Sequence, residues 1–233
     1  MKKCIITIPL PYTNLLEYEI MSLKQVLSFY QDKYDDIDIA LCCPWNIDIY
    51  DLEKYNINLN GIITLPIDPY WSQSIATYNA LCTNNQLYNL FSDYEYMLIY
   101  QLDAFIFKDE LYYWCDKGYD YIGGVEAIEN FKKDLNGGFS LRKISVFNEL
   151  TKNNNYSDEI VYRFEDSIFT SEIYKDNNIT IPVIDLLTFS INCYTHHYTL
   201  FSLLNPNLPF GCHKFYISPK VYELCKQHIN YKE

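Results

Sequence analysis

Four groups of residues in this 233-residue chain carry side chains whose types and spacing could do chemistry. Asp103 closes the apolar run Tyr96-Met97-Leu98-Ile99-Tyr100-Gln101-Leu102-Asp103. A carboxylate at the carboxyl end of a buried strand can hold a divalent cation that bridges phosphate oxygens, or it can simply cap a turn. Asn136-Gly137-Gly138-Phe139-Ser140-Leu141-Arg142 joins an amide that donates and accepts to two glycines. Without Cβ atoms these let a sugar or phosphate approach the backbone, and an ordinary Asn-Gly turn has the same letters. Glu165-Asp166 suits the first turn of a helix, and one of the two acids can take a proton from an attacking hydroxyl. His213, in Pro209-Phe210-Gly211-Cys212-His213, sits beside a constrained loop as a metal ligand or a hydrogen-bonded structural residue. His196, His197 and His228 have no comparable setting and read as structural. Cys115 and Cys212 have no His-Asp arrangement beyond the histidine next to Cys212, which sets thiol catalysis aside.

These residues need elements to position them. Short apolar runs at Lys3 to Ile8, Ile37 to Cys42, Gly61 to Leu65 and Tyr96 to Tyr100 read as buried strands, the first three closed by prolines. Asn14 is the expected cap of a helix from Leu15 to Tyr30, and Ser72 to Phe91 reads as one long helix. After Asp103 the pattern predicts strands at Ala104 to Phe107, Tyr119 to Ile122, Gly138 to Arg142 and Ile179 to Ile184. Helices are expected over Asp109 to Cys115, from Ser145, over Phe164 to Tyr174 and from Pro219, with Asn153 to Asn155 a loop. The repeated strand-helix-strand order predicts an α/β fold, a mostly parallel sheet covered by helices, in one domain over residues 1–233.

Composition narrows the function. Eighteen Lys and Arg against thirty Asp and Glu leave a net charge of −12. Such a chain is poorly suited to gripping nucleic-acid backbone or anionic lipid, and it binds an anionic substrate best through a local cation. No apolar stretch of about eighteen residues is present to span a membrane, and the N-terminal apolar run is too short for a signal peptide. The eight cysteines fall mostly in apolar runs without a Cys-x-x-Cys pair, and read as core residues in a reducing, cytoplasmic setting. Peripheral association with a membrane stays open. Seven glycines serve the whole chain, and five of them fall between Gly118 and Gly138.

The order of these signals resembles the shared core of the GT-A glycosyltransferases. Tyr94 to Phe107, Trp114-Cys115, Tyr119 to Gly123, Asn136 to Arg142, Glu165-Asp166 and Pro209 to His213 together resemble a small family of GT-A-like proteins described as candidate glycosyltransferases. The resemblance implies a GT-A-like sheet, a nucleotide-sugar donor and a divalent cation, Mn²⁺ or Mg²⁺. By that resemblance Asp103 matches the last acid of the Asp-x-Asp motif, with Gln101 in place of the first, and His213 completes the metal shell. Gly137 and Gly138, with Asn136, match the glycine loop, and Asp166, beside Glu165, matches the base of inverting members. Pro9 and Tyr12 are expected near the nucleobase, and Tyr78 and Asn79 facing the donor.

The resulting expectation is a metal-dependent glycosyltransferase using a nucleotide sugar, a UDP-sugar by preference, with Asp166 as base and inversion at the sugar carbon. The acceptor is a glycan, lipid or protein rather than nucleic acid. The alternative is a catalytically silent domain of the same fold that binds a nucleotide sugar or glycan, and Gln101 is the residue that keeps it open. A metal-dependent phosphoesterase or nucleotidyltransferase comes third, for want of a further Asp/His cluster.

Overall fold

The computed structural model describes residues 1–125, 135–153, 156, 163–174, 183–193, 201–202, 204 and 207–232. His196 and His197 lie outside them. The strands are β1 (Lys2–Pro9), β2 (Ile37–Pro44), β3 (Ile63–Ile67), β4 (Tyr94–Tyr100) and β5 (Ala104–Ile106). They continue with β6 (Tyr121–Val125), β7 (Leu135–Lys143), β8 (Ser190–Asn192) and β9 (Gly211–His213). All join one sheet in the order β3-β2-β1-β4-β7-β6-β8-β9-β5. The pairs β1–β2, β1–β4, β2–β3, β6–β8 and β8–β9 are parallel, while β7 runs antiparallel to β4 and β6, and β5 antiparallel to β9. The parallel half is built as expected for strands buried on both faces: Cys4, Ile5, Ile6 and Ile8 are all buried in β1.

The helices are α1 (Glu17–Tyr30), α2 (Ile75–Cys82), α3 (Asn85–Leu90), α4 (Leu111–Asp116), α5 (Ile144–Asn153), α6 (Glu165–Tyr174), α7 (Val183–Phe189) and α8 (Pro219–Gln227). They flank the sheet: α1 packs on β2 and β5, α4 on β1, α5 on β4 and β7, α6 on β7, and α7 on β6 and β8. The main core joins the central strands to Trp114, Phe147, Phe169 and Phe189. A second apolar cluster gathers Phe105, Phe107, Cys212, Phe215 and Val221 under the β5–β9 edge. All eight cysteines are free and buried.

Several local expectations change. Asn14 does not cap α1; its Oδ1 accepts from Lys54 Nζ at 2.8 Å, and Glu19 Oε2 accepts the Leu16 N–H at 2.7 Å instead. The single helix over 72–91 is broken into α2 and α3. The Thr83 hydroxyl turns back onto the Asn79 and Ala80 carbonyls, and Asn84 Oδ1 accepts the Gln86 N–H at 2.9 Å to begin a new helix. Side chains that offer the backbone local partners end a helix that apolar spacing alone would continue. β3 lies two residues later than expected and includes Pro66, which an edge strand tolerates. Residues 183–184, expected in a strand, begin α7, and the rest of that strand and Asn154 and Asn155 lie outside the described residues, while Asn153 ends α5. Asn136-Gly137-Gly138 is not a turn but part of β7, opposite an irregularity between Gly123 and Gly124.

Candidate active site

β4 ends at Tyr100, and the chain turns at once: the Ala104 N–H donates to the Gln101 carbonyl at 2.9 Å. The Gln101 N–H is itself held by the Gly138 carbonyl at 2.9 Å, so the turn is pinned to β7. Asp103 is thereby presented at the carboxyl end of the central strands. His213 ends β9, where the register sets it opposite Ala104 on one side and Asn192 on the other.

These side chains converge. Asp103 Oδ1 is buried, lies 2.9 Å from His213 Nε2 and is not aligned in a hydrogen bond. His213 Nδ1 lies 3.0 Å from Asn192 Oδ1, and Nε2 lies 3.1 Å from Gln101 Oε1. Asn192 Oδ1 only accepts, so Nδ1 carries the donated proton and Nε2 faces two oxygens. A positive species, a second ring proton or a cation, satisfies three such atoms. Burial would raise the Asp103 carboxyl, but the charges of His213 and Lys214 outweigh it and hold it below the ordinary aspartate value. Gly138 makes the gathering possible: a Cβ there would stand 2.2 Å from His213 Nε2 and 2.5 Å from Gln101 Oε1.

One residue earlier, Gly137 meets a second cluster. Its N–H donates to Asp166 Oδ2 at 3.0 Å, and its carbonyl accepts from Ser140 Oγ at 2.8 Å. A Cβ on Gly137 would lie 2.5 Å from Glu165 Oε1. Glu165 Oε1 accepts from Arg142 Nη2 at 2.9 Å, with side-chain exposures of only 5% and 0% for the pair. Glu165 Oε2 is buried without a hydrogen bond. Burial therefore pushes the Glu165 carboxyl up to about 7, against the pull of Arg142 and with a further push from Asp166. Asp166 Oδ1 accepts the Ser167 N–H at 2.8 Å, and this side chain is only partly buried. Asn136 is buried and its Oδ1 accepts the Gly138 N–H at 2.8 Å.

A cavity of about 310 Å³ opens beside Asp103 at the carboxyl ends of β1 to β4, where open α/β sheets bind ligands. Its wall includes Pro9, Tyr12, Trp71, Tyr78, Gln101 and Asp103. Burial pushes the Tyr78 hydroxyl well above the ordinary tyrosine value. Asn79, on α2, is buried outside this lining. The fold thus brings Asp103, His213, Gln101 and Gly138 together, and Gln101 and Asp103 of this group also line the cavity. Through Gly137 it ties them to Asp166 and Glu165.

Asn192, Lys214 and Arg142 have no role in the sequence reading. Nothing in Ser-Ile-Asn-Cys marks Asn192, because its importance comes from the β8–β9 register. Lys214 follows His213 with a backbone φ of +55°, unusual for a residue with a side chain. Arg142 carried a legible signal, since a guanidinium in an apolar strand needs a buried acid.

Among the described residues, no group of three or more His, Cys, Asp or Glu side chains is gathered to hold a metal ion. Asp103 and His213 nevertheless fit a cation that takes its remaining ligands from a phosphorylated substrate and water, because Oδ1 is buried without a hydrogen bond and lies 2.9 Å from Nε2, whose ring is held at Nδ1 by Asn192. No helix of the described residues is long and apolar enough to cross a membrane.

Residues 62–213 match a protein family described as "Protein of unknown function (DUF5672)". No curated protein sequence matches the chain. Among solved structures, the chain is similar to the mannosyltransferase Ktr4p from S. cerevisiae in complex with GDP. That likeness has a TM-score of 0.54 at 8% identity, covering 74% of this chain and 66% of that one. Core-mannan synthase A from Aspergillus fumigatus, in a Mn/GDP form, gives 0.51 at 8% identity over 73% of this chain and 69% of its own. Mouse xyloside xylosyltransferase 1 gives 0.52 at 10% identity over 91% of this chain and 96% of its own. At such identities the likeness is one of fold, and the fold is GT-A-like: a large, mostly parallel sheet flanked by helices.

Proposed function

The chain belongs to the DUF5672 family of proteins of unknown function, and we propose that it is a glycosyltransferase using a nucleotide-sugar donor. The observation that carries this reading is the convergence of Asp103 Oδ1, His213 Nε2 and Gln101 Oε1 beside a strand-end cavity, in a protein of net charge −12. A diphosphate needs positive charge to bind there. Asp103 and His213 are the residues that would hold a divalent cation, with Lys214 beside them. Such a cation supplies stabilisation of the negative charge that develops on a leaving diphosphate.

The chain's own groups do the rest. Asn192 fixes the His213 ring through Nδ1. Gly138 keeps the space beside Nε2 open, where a Cβ would lie 2.2 Å from that atom. The cavity takes the nucleoside, with the rings of Tyr12, Trp71 and Tyr78 in its wall. Among the described residues Glu19 and Asp103 are the carboxylates of its lining, and each Glu19 oxygen accepts one hydrogen bond, from the Tyr12 hydroxyl and the Leu16 N–H at 2.7 Å each. Asp166 is the base: it takes the proton of an acceptor hydroxyl as that oxygen bonds to the anomeric carbon. The carbon–oxygen bond to the diphosphate breaks with its electron pair, the nucleoside diphosphate leaves, and the configuration inverts. The acceptor is a glycan, lipid or protein hydroxyl.

The test is calorimetric binding of UDP- and GDP-sugars with and without Mn²⁺ to wild type, Asp103→Ala and His213→Ala, followed by nucleoside diphosphate release. Mn²⁺-dependent binding of one donor, weakened at least about tenfold in both variants, is the expected result. Release of the diphosphate should fall at least about a hundredfold in Asp166→Asn while the donor still binds. If no donor binds under any metal condition, the proposal fails. If donor binds but is never turned over, the silent-domain reading replaces it.

A further inference from the structure

Arg142 is a fully buried cation whose three kinds of nitrogen each have a partner. Nε donates to Ser140 Oγ at 3.1 Å, Nη1 to the Tyr88 hydroxyl at 2.8 Å and Nη2 to Glu165 Oε1 at 2.9 Å. The rings of Tyr121, Phe147 and Phe169 surround the guanidinium, with centroids 5.3 to 5.7 Å from its carbon. Burying such a pair costs more desolvation than its attraction returns in most settings, so a core that only needed filling would use apolar groups. The place of this pair supplies a reason.

Two arms run from Arg142 to the backbone of one residue, Gly137. One passes through Ser140 Oγ, which donates to the Gly137 carbonyl at 2.8 Å. The other passes through Glu165, next to Asp166, whose Oδ2 accepts the Gly137 N–H at 3.0 Å. The backbone of Gly137 is thus gripped on both sides of its Cα, at its N–H and at its carbonyl, and its neighbour Gly138 abuts His213 and Gln101. A methyl group on Gly137 would meet Glu165 Oε1 at 2.5 Å and Arg142 Nη2 at 3.0 Å, so the pair packs directly against the glycine backbone.

We propose that Arg142 and Glu165 are positioning residues that set the Asp166 carboxylate and the Gly137–Gly138 backbone in register with Asp103 and His213, neither of them touching the substrate. This rests on the proposed function for what Asp166 does, but not for how it is held. Glu165, an expected catalytic acid beside Asp166, is here the anchor: Oε1 is committed to Arg142, and the side chain is only 5% exposed.

The experiment is amide hydrogen exchange, resolved by NMR, in wild type, Arg142→Met, Arg142→Lys and Glu165→Gln, with donor binding and turnover measured on the same samples. In Arg142→Met the Gly137 N–H should exchange at least about tenfold faster while the amides of β1 keep their protection. Turnover should fall at least about tenfold with donor affinity within about twofold of wild type. Glu165→Gln, which still offers Arg142 an acceptor, should lie between the two. Should Arg142→Met not fold, Arg142→Lys carries the same readouts, with a smaller change. Unaltered Gly137 exchange in a folded Arg142 variant overturns the inference and leaves the pair a packing feature. So does a loss confined to donor affinity. A wild type that binds no donor sinks the proposed function alone, since the exchange result is read without any donor.

Discussion

At the scale of single residues, the site is governed by what each side chain is allowed to face. Asp103 and His213 were legible as candidates because a carboxylate after an apolar strand and an imidazole after Pro and Gly are unusual letters in those places. Their convergence was not legible, because it depends on Gly138 lacking a Cβ that would stand 2.2 Å from Nε2. Glu165 looks in sequence like a solvated first-turn acid, and only its burial against Arg142 gives it another character. Burial pushes its carboxyl from 4.5 to about 7, so the folded chain holds that proton more tightly than the unfolded chain. Its contribution to stability is therefore fully present below pH 4.5 and is lost as pH rises through about 7. Asp103 and Asp185 are shifted downward, and what they contribute is lost only as pH falls below 3.8, outside that window. Denaturant unfolding between pH 5 and 8 should show stability falling as pH rises, by on the order of 3 kcal/mol. Glu165→Gln should flatten that slope, and an unchanged slope in the variant would assign it to another group.

At the scale of elements, α2 is the piece the sequence misjudges and the cavity depends on. The apolar spacing over 72–91 suggested one helix, but local hydrogen bonds divide it and aim Tyr78 at the cavity wall. Ser74 is the cap: its Oγ accepts the Thr77 N–H at 3.2 Å, and Thr77 Oγ1 accepts the Ser74 N–H at 3.0 Å. Ser74→Ala should cost about 1 kcal/mol of stability, read by thermal or denaturant unfolding. It should also weaken donor binding, because Ser74, Ile75 and Tyr78 all line the cavity. A stability loss without any change in binding would separate α2 from the donor site. The strands were more legible than this helix. β1, β2 and β4 are mostly apolar on both faces, and Pro9 and Pro44 sit where the parallel pairing of β1 and β2 ends. β7 begins earlier than the sequence suggests, since Asn-Gly-Gly has the letters of a turn. In the fold those glycines are extended, and they are small because Glu165, His213 and Gln101 press against them.

At the scale of the whole molecule, one nine-stranded sheet carries both the cavity and the edge that delivers His213. Its cysteines belong to that interior. All eight are free and buried, and burial raises the Cys42, Cys82, Cys193 and Cys212 thiols well above the ordinary cysteine value. A water-borne disulfide reagent should titrate none of the eight within minutes in the native protein and all eight after denaturation. Rapid reaction of any native thiol would show that part of the core opens readily. What the sequence by itself determined is the class of the fold and the candidate residues, because apolar runs, prolines and scarce glycines act locally on the backbone. What only the tertiary structure decided is which candidates meet. Asp103 and His213 are 110 positions apart and touch because β5 and β9 pair. Asp166 joins them through a single N–H of Gly137. Contacts of that kind follow from strand order and register, which are set by how the whole sheet buries its apolar faces rather than by any short stretch of sequence.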